Sequence, residues 1–329
     1  MRTLLVGCGN QGGQTLLPAA LAAGIEVTAL VDSDLDRAAR LARQWSVPDA
    51  FASVEDLDTG AFEAAIIALP VDVQGAHARW ALEQRLHTFV EKPPAPDLAR
   101  LRELSKTAHD AGVTAAVGMN FRWADGVLAL LGALESGCYG QASYVRVVHV
   151  ARKPVVSFSA DLTLEASLFH AQGVHAIDLA ALLRPGATAI SGQMLAVERG
   201  RLCLLAGDNT GAGQRFEARF GSCAAGFHHQ VEVLTDSGDQ LLLRDLAELA
   251  LVPGGGRDDV GDYPGARVLW RRSPISAGYA GAGYAPELTA FKERVQGDGA
   301  PLLATVDDLV PTYEAFDALL AARGLEWTA

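Results

Sequence analysis

Three glycines, Gly7, Gly9 and Gly12, follow directly on the apolar stretch Arg2–Val6 and open a segment of helical composition, Gln14–Ala23, which Gly24 ends. No other feature restricts the fold as much. A strand that runs through a G-x-G-x-x-G loop into a helix is the start of a βαβ unit. The first glycine permits the tight turn, the second lets a pyrophosphate approach the backbone, and the third lets helix and strand pack closely. Phosphates placed there meet N–H groups at a helix start, whose dipole favours negative charge.

The rhythm continues. Val27–Val31 reads as a second strand ending at Asp32, and Asp34 is placed to cap a helix over Leu35–Trp45. Ala64–Leu69 is a continuous apolar run, as expected for a strand covered on both faces, and Pro70 stops it. Val73–Arg85 reads as a helix, Thr88–Val90 as a strand, Asp97–Ala111 as a helix and Thr114–Gly118 as a strand. The expectation for residues 1–119 is a doubly wound parallel sheet, a Rossmann-type nucleotide-binding domain. From residue 120 the pattern changes. Helices are expected over Asp125–Ser136 and Ala166–Leu183, the latter closed by Pro185-Gly186, and an alternating strand over Gln141–Val150. Strand-like segments then run from Ala187 to about Trp270, including Arg215–Phe220, Gln230–Thr235 and Gln240–Leu243, with a helical pattern only near Leu246–Leu251. Helices over Pro286–Gln296 and Val306–Ala322 complete the chain, and the glycine-rich stretches 252–265 and 278–285 read as mobile loops. Residues 120–329 are thus expected to form an α+β domain for substrate binding and oligomerisation. Its sheet should be large, open and mostly antiparallel, with one broad apolar face left for an interface.

Composition sets outer bounds. The chain has 329 residues, half of them hydrophobic, enough for two domains with substantial cores. A net charge of −12 argues against a nucleic-acid or anionic-membrane surface. The cysteines, Cys8, Cys138, Cys203 and Cys223, form no C-x-x-C or other metal-type spacing. They read as reduced thiols of a cytoplasmic protein without a metal site. Thr3-Leu4-Leu5-Val6 is too short for a signal peptide, and no later run is long enough to span a bilayer.

Two further signals carry chemistry. Asp32 lies twenty residues after Gly12, where a carboxylate suits a ribose 2′-hydroxyl and repels a 2′-phosphate. This favours NAD, while Ser33 leaves NADP open. Glu91-Lys92-Pro93 stands at the end of the Thr88–Val90 strand and places a cation beside the expected position of a nicotinamide ring. Carbonyl–alcohol interconversion needs a hydride carrier, a cation that steadies the oxygen, and a group that exchanges the proton. Lys92 is the cation candidate. His175 is the proton-exchange candidate, because an ordinary imidazole titrates near pH ~6.5. It stands in Gly173-Val174-His175-Ala176-Ile177-Asp178, where Asp178 shares its helix face and can orient the ring.

With these motifs the chain resembles the glucose–fructose oxidoreductase / inositol 2-dehydrogenase (Gfo/Idh/MocA) family. The resemblance includes Pro70, Gly118-Met119-Asn120-Phe121-Arg122-Trp123, Glu287-Leu288 with Phe291, and Pro301 with Asp307-Asp308. It implies NAD(P)-dependent redox chemistry on a hydroxyl or ketone of a sugar, cyclitol or sugar nucleotide, and dimers or tetramers formed through the open sheet. It carries Lys92 and His175 over as catalytic residues. The cofactor contacts it implies are Gly7, Gly9, Asn10, Gln11, Gly12, Asp32, Leu69, Pro70, Glu91, Lys92 and Asn120; the substrate contacts are Lys92, Arg122, Gln172 and His175. Two positions depart from the family. Gln74 stands where many members have a histidine, and Ala171 where many have an aspartate one turn before the catalytic histidine. Either His170, Gln172 or Asp178 compensates for Ala171, or the chemistry is different. The alternatives are reduction of a C=N bond on the same fold and a non-catalytic nucleotide-binding regulator. His228-His229 reads as a surface or packing pair.

Overall fold

The computed structural model describes residues 1–184, 189–197, 200–209, 214–254, 265–275, 281–299 and 301–328. Pro185-Gly186 and, within the glycine-rich stretches, residues 255–264 and 276–280 lie outside the described residues. The chain divides into two compact units, Met1–Trp123 with Gly283–Val310, and Ala124–Ala282 with Pro311–Ala329.

The first unit is built on β1 (Arg2–Val6), β2 (Glu26–Val31), β3 (Asp49–Phe51), β4 (Ala64–Ile67), β5 (His87–Glu91) and β6 (Ala115–Gly118). All pair in parallel, in the order β3-β2-β1-β4-β5-β6. The order reverses between β1 and β4, so the glycine loop at the end of β1 stands at the switch point where such sheets bind ligands. All four residues of β4 are buried, as a continuous apolar run requires. The helices are α1 (Leu17–Ala22), α2 (Leu35–Trp45), α3 (Val71–Glu83) and α4 (Leu98–Ala111). Asp34 and Asp97 cap α2 and α4 by accepting from Arg37 N–H (3.0 Å) and Arg100 N–H (2.7 Å). The helix expected from Gln14 differs: Asn10–Leu16 is a wide π turn, and the regular helix starts at Leu17 with a proline in its first turn. Pro18 has no N–H to give to the turn before it.

The second unit carries β7 (Ala142–Val150), β8 (Ala189–Val197), β9 (Gly200–Asn209), β10 (Gln214–Gly221), β11 (His228–Thr235), β12 (Gln240–Arg244), β13 (Glu248–Val252) and β14 (Arg267–Arg271). The order is β14-β13-β12-β11-β7-β10-β9-β8, antiparallel except for the β7–β10 pair. Its helices are α5 (Asp125–Glu135), α6 (Leu164–Leu168) and α7 (Val174–Leu183). The single helix expected over Ala166–Leu183 is two helices joined by a wide turn, Phe169–Gly173. Gly173 is needed there, because a Cβ at that position would lie 2.8 Å from the Phe220 ring. The helical pattern at Leu246–Leu251 is instead β13, paired to β12. A short apolar run has the same appearance in either state, and positive φ at Asp245 and Leu246 turns the hairpin.

α7 packs on β7 and β10. Val145, Val147 and His149 of β7 and His229, Val231 and Val233 of β11 are buried, and their period of two puts each set on one face. The intervening residues give the opposite face ion pairs among apolar side chains: Arg146 pairs with Glu232, and Arg219 with Glu217, while Leu234 is exposed.

α8 (Tyr284–Val295) corrects the assignment of 120–329 to a single domain. Leu288, Ala290, Phe291 and Leu303 join a core with Leu5, Leu16 and Leu30 of the first unit. The Phe291 and Phe89 rings stand 5.8 Å apart, and Lys292 Nζ donates to Ala23 O at 2.6 Å. The apolar face of α8 covers the first sheet, so this segment returns to it. α9 (Val310–Ala321) completes the chain. Among the described residues no helix is long and apolar enough to cross a membrane, and no cluster of His, Cys, Asp and Glu is suited to a metal.

Candidate active site

In the first unit the glycine loop behaves as its spacing requires. Gly7 has φ +98°, and a Cβ there would lie 2.1 Å from Ala68 O. A Cβ on Gly12 would lie 1.8 Å from Gly7 O, so the loop closes on itself only with glycine at both positions. Gly9 is the reverse: nothing lies within 4 Å of where its Cβ would be. Its bare backbone faces open space at the start of the turn, and no side chain caps that turn. Beside it lies a cleft of about 800 Å³ lined by Cys8, Gly9, Asn10, Gly13, Arg37 and Arg40. An open glycine cradle with flanking cations suits a pyrophosphate-bearing cofactor.

Asp32 closes one side. Its Oδ2 accepts from Cys8 N–H (2.8 Å), its Oδ1 accepts from Asp34 N–H (2.9 Å), and Arg37 Nη1 lies 3.3 Å from both oxygens. Asp32 is buried, while the Arg37 side chain is 46% exposed. Burial, reinforced by the Asp32 charge, pushes the Cys8 thiol up to about 12, so Cys8 is a packing residue and not a nucleophile.

A chain of hydrogen bonds joins the loop to the Lys92 turn. Gln11 Nε2 donates to Glu91 Oε1 at 2.6 Å, and Glu91 Oε2 accepts from Lys92 N–H at 2.7 Å. Burial raises the Glu91 carboxyl above the usual range, against the opposing pull of the Lys92 ammonium and the Gln11 bond. Burial also lowers the Lys92 ammonium, with the Glu91 charge acting the other way. The Lys92–Pro93 bond is cis.

Gln74, a departure in sequence, is a structural staple. Its Oε1 accepts from Leu69 N–H (3.0 Å), and its Nε2 donates to Glu91 O and Pro93 O (2.6 Å each). One buried amide therefore ties the end of β4 to the Lys92 turn. Pro70 caps α3, Asn120 is buried just after β6, and buried Arg122 donates from Nη1 to Leu302 O at 3.4 Å.

In the second unit His175 is buried on α7, and Asp178 is buried on the same helix. His170 belongs to an aromatic group, its ring stacked 5.7 Å from Trp327. Gln172 is committed to the backbone: it donates to Lys153 O and accepts from Gly221 N–H (3.1 Å), which joins the segment after β7 to the end of β10. Both ends of its amide are thus engaged by the backbone. The ring next to His175 is one that motif reading passes over. His149 stands edge to face with it, centroids 6.1 Å apart at 88°, and His229 lies beyond. The available signal was the alternation Val145-Val147-His149, which turns His149 toward the helix.

A glycine-cradle parallel sheet with a cleft between its loop and α2, a carboxylate at the end of the second strand and a lysine turn after the fifth define a dinucleotide-binding architecture. Residues 1–119 match the Gfo/Idh/MocA family model described as "Oxidoreductase family, NAD-binding Rossmann fold". Inositol 2-dehydrogenase of Leifsonia xyli subsp. xyli is 34% identical over 155 residues, 45% of this chain and 44% of that protein. D-apiose dehydrogenase of Rhizobium rhizogenes is 24% identical over 182 residues, 55% of this chain and 53% of that protein. The chain thus spans about half the length of these curated relatives. Over the whole length, a crystal structure of a dehydrogenase from Chromobacterium violaceum has the same fold, with TM-score 0.88, 24% identity and coverage of 98% and 95% of the two chains.

Proposed function

We propose that the chain is an NAD-dependent oxidoreductase that moves a hydride between nicotinamide and the hydroxyl- or ketone-bearing carbon of a sugar, cyclitol or sugar-nucleotide-like substrate. The observation that carries this reading is the Gln11–Glu91–Lys92 chain, which ties the backbone of the half-buried Lys92 to the glycine loop. A binding module needs the cradle but not that cation. The named relatives, dehydrogenases of inositol and apiose, support a polyol or sugar substrate.

When bound, the nicotinamide accepts or returns the hydride. Gly7, Gly9 and Gly12 hold the phosphates, Asn10 and Gln11 flank them, and Asp32 takes the ribose. Leu69, Pro70, Glu91 and Asn120 stand at the strand ends around the cradle. Lys92 steadies the substrate oxygen as charge develops on it. Burial loosens its proton, so it is also a stronger hydrogen-bond donor than an exposed lysine. His175 exchanges the hydroxyl proton, and Arg122 contributes to the substrate side. The protein acts in the cytoplasm as a homodimer or homotetramer; light scattering that returns the 34.6 kDa of one chain at micromolar concentration contradicts the assembly.

The test is a panel of sugars, cyclitols, sugar nucleotides and imines, read by NADH absorbance in both directions. Turnover of a hydroxyl or ketone substrate is expected. Lys92→Ala should lower kcat by about a hundredfold or more with the cofactor Kd little changed, and His175→Asn should remove most activity. Tight NADH binding without turnover across the panel overturns the enzyme reading, and turnover confined to imines moves the substrate to a C=N bond.

A further inference from the structure

Between Val145–His149 of β7 and His229–Val233 of β11, the described inward positions under α7 are hydrocarbon except in one row. Across β7 and β11 the inward positions pair as Val145 with Val233, Val147 with Val231, and His149 with His229. All six residues are buried; His229 is 0% exposed and His149 5%. Two imidazoles in an apolar layer cost free energy unless their nitrogens are paired. These are paired with each other, Nδ1 to Nδ1 at 3.3 Å. Such a bond exists in only one arrangement: one ring carries its proton on Nδ1 and the other leaves Nδ1 bare. Protons on both Nδ1 atoms would repel, and burial in an apolar layer disfavours a charge on the donor ring, so the pair is neutral and holds opposite tautomers. The exposed Phe227 ring lies 5.3 Å from His149 and 6.2 Å from His229. On the other side, the His149 ring meets the His175 ring edge to face at 6.1 Å. The rings therefore run in series from α7 to β7 to β11.

We propose that His149 is a positioning residue for His175, and that His229 fixes the tautomer of His149. This rests on His175 being the proton-exchange group. A ring held edge to face by a neighbour of defined tautomer keeps its orientation and meets a fixed dipole. Gln172, by contrast, is committed to the backbone. The other ionisable groups around the row are few. Asp245, in the turn after β12, accepts from His229 N–H at 2.9 Å and lies 4.0 Å from the exposed His228. Asp178 is on α7, and His170 is in the turn before it. From β10 the row receives Phe220, which carries no charge.

The experiment uses the full chain with ¹⁵N-labelled histidine. Long-range ¹H–¹⁵N spectra of the wild type at pH 7 should show His149 and His229 neutral and in opposite tautomers. The same tautomer in both rings, or charge on either, overturns the pair. His149→Phe keeps an aromatic ring and removes the nitrogens. It should shift the titration midpoint of His175 by about half a unit or more. With the best hydroxyl substrate of the panel, it should also lower kcat by about ten- to a hundredfold at nearly unchanged KM, as loss of an orienting partner does elsewhere. His149→Gln, which can still bond His229, should lose less. If His149→Phe leaves both the His175 midpoint and the pH profile of kcat/KM in place, the proposal fails. If His175→Asn is fully active, it is the proton-exchange reading that fails, whatever the spectra of the pair. Should His149→Phe not fold, the wild-type tautomers and His149→Gln decide.

Discussion

Arg37 is expected to set how strongly the proposed adenosine end of the site discriminates between NAD and NADP. The carboxylate of Asp32 repels a 2′-phosphate, but Arg37 lies 3.3 Å from both of its oxygens and lines the cleft with Arg40. The guanidinium partly cancels the repulsion and offers charge-assisted donors to a phosphate. A hydrogen bond to a charged group contributes about 1.5–3 kcal/mol when desolvated. The Arg37 side chain is 46% exposed, so solvent screening puts its share at the low end. Arg37→Ala should therefore weaken NADPH binding by roughly tenfold, about 1.4 kcal/mol, while NADH affinity changes by less than about threefold. Wild type should still prefer NADH, because the two backbone N–H groups of Cys8 and Asp34 hold the Asp32 carboxylate in place. Titration calorimetry of both proteins with both reduced cofactors measures the four constants. Equal weakening of NADH and NADPH would refute the reasoning, since Arg37 would then serve the loop and not the 2′ position. So would tighter NADPH binding by Arg37→Ala.

Gln74→Leu removes three bonds to backbone groups at the strand ends. It should cost about 2–4 kcal/mol in denaturant unfolding and lower kcat more than cofactor affinity; unchanged stability would show that the staple is not needed. Alkylation with iodoacetamide on the native protein should label the exposed Cys138 and Cys223 and spare Cys8 and Cys203, whose thiols burial pushes up to about 12; early labelling of Cys8 would contradict its burial. Burial first, then the His149 and His228 charges, hold His229 well below the ordinary histidine range. The unfolded chain binds this proton below pH ~6.5 and the folded chain does not, so the stability linked to His229 is present above pH ~6.5 and is lost as pH falls. The slope is at most about 1.4 kcal/mol per pH unit. Unfolding of the wild type should therefore lose more stability between pH 7 and 5 than that of His229→Asn, and parallel losses would contradict the assignment.

The parts of this fold that sequence reveals are those whose causes are local. A parallel strand buried on both faces must be a continuous apolar run, and Ala64–Leu69 is one. Gly7 and Gly12 are forced by two close backbone approaches at a fixed spacing, and so were legible with their strand and helix. What was not legible depends on contacts between distant residues. Gln74 reads as a missing histidine until its amide is seen to reach Glu91 and Pro93, 17 and 19 residues away. The return of α8 to the first unit depends on Phe291 meeting Phe89, which no periodicity encodes. The His149–His229 pair depends on strand register, and register aligns residues 80 positions apart. Leu246–Leu251 failed for another reason: three leucines and two alanines around Glu248 satisfy either period, and only the β12 partner decides.

In the first unit the buried polar side chains concentrate where the parallel ladder stops. Beyond the last strand pair, backbone N–H and C=O groups lose their neighbours and must find others or be paid for in stability. Asp32 takes Cys8 N–H between the ends of β1 and β2. Gln74 takes Leu69 N–H after β4 and bonds Glu91 O at the end of β5. Glu91 in turn holds Gln11 of the glycine loop. The side chains that complete the sheet thus also fix the cradle, the ribose carboxylate and the Lys92 turn. The same logic holds in the second unit, where Gln172 serves the ends of β7 and β10, and His149 stands one residue before β7 ends. Stability and function therefore share residues at these strand ends. A loss of activity there is evidence about mechanism only when the unfolding free energy of the same variant is measured beside it.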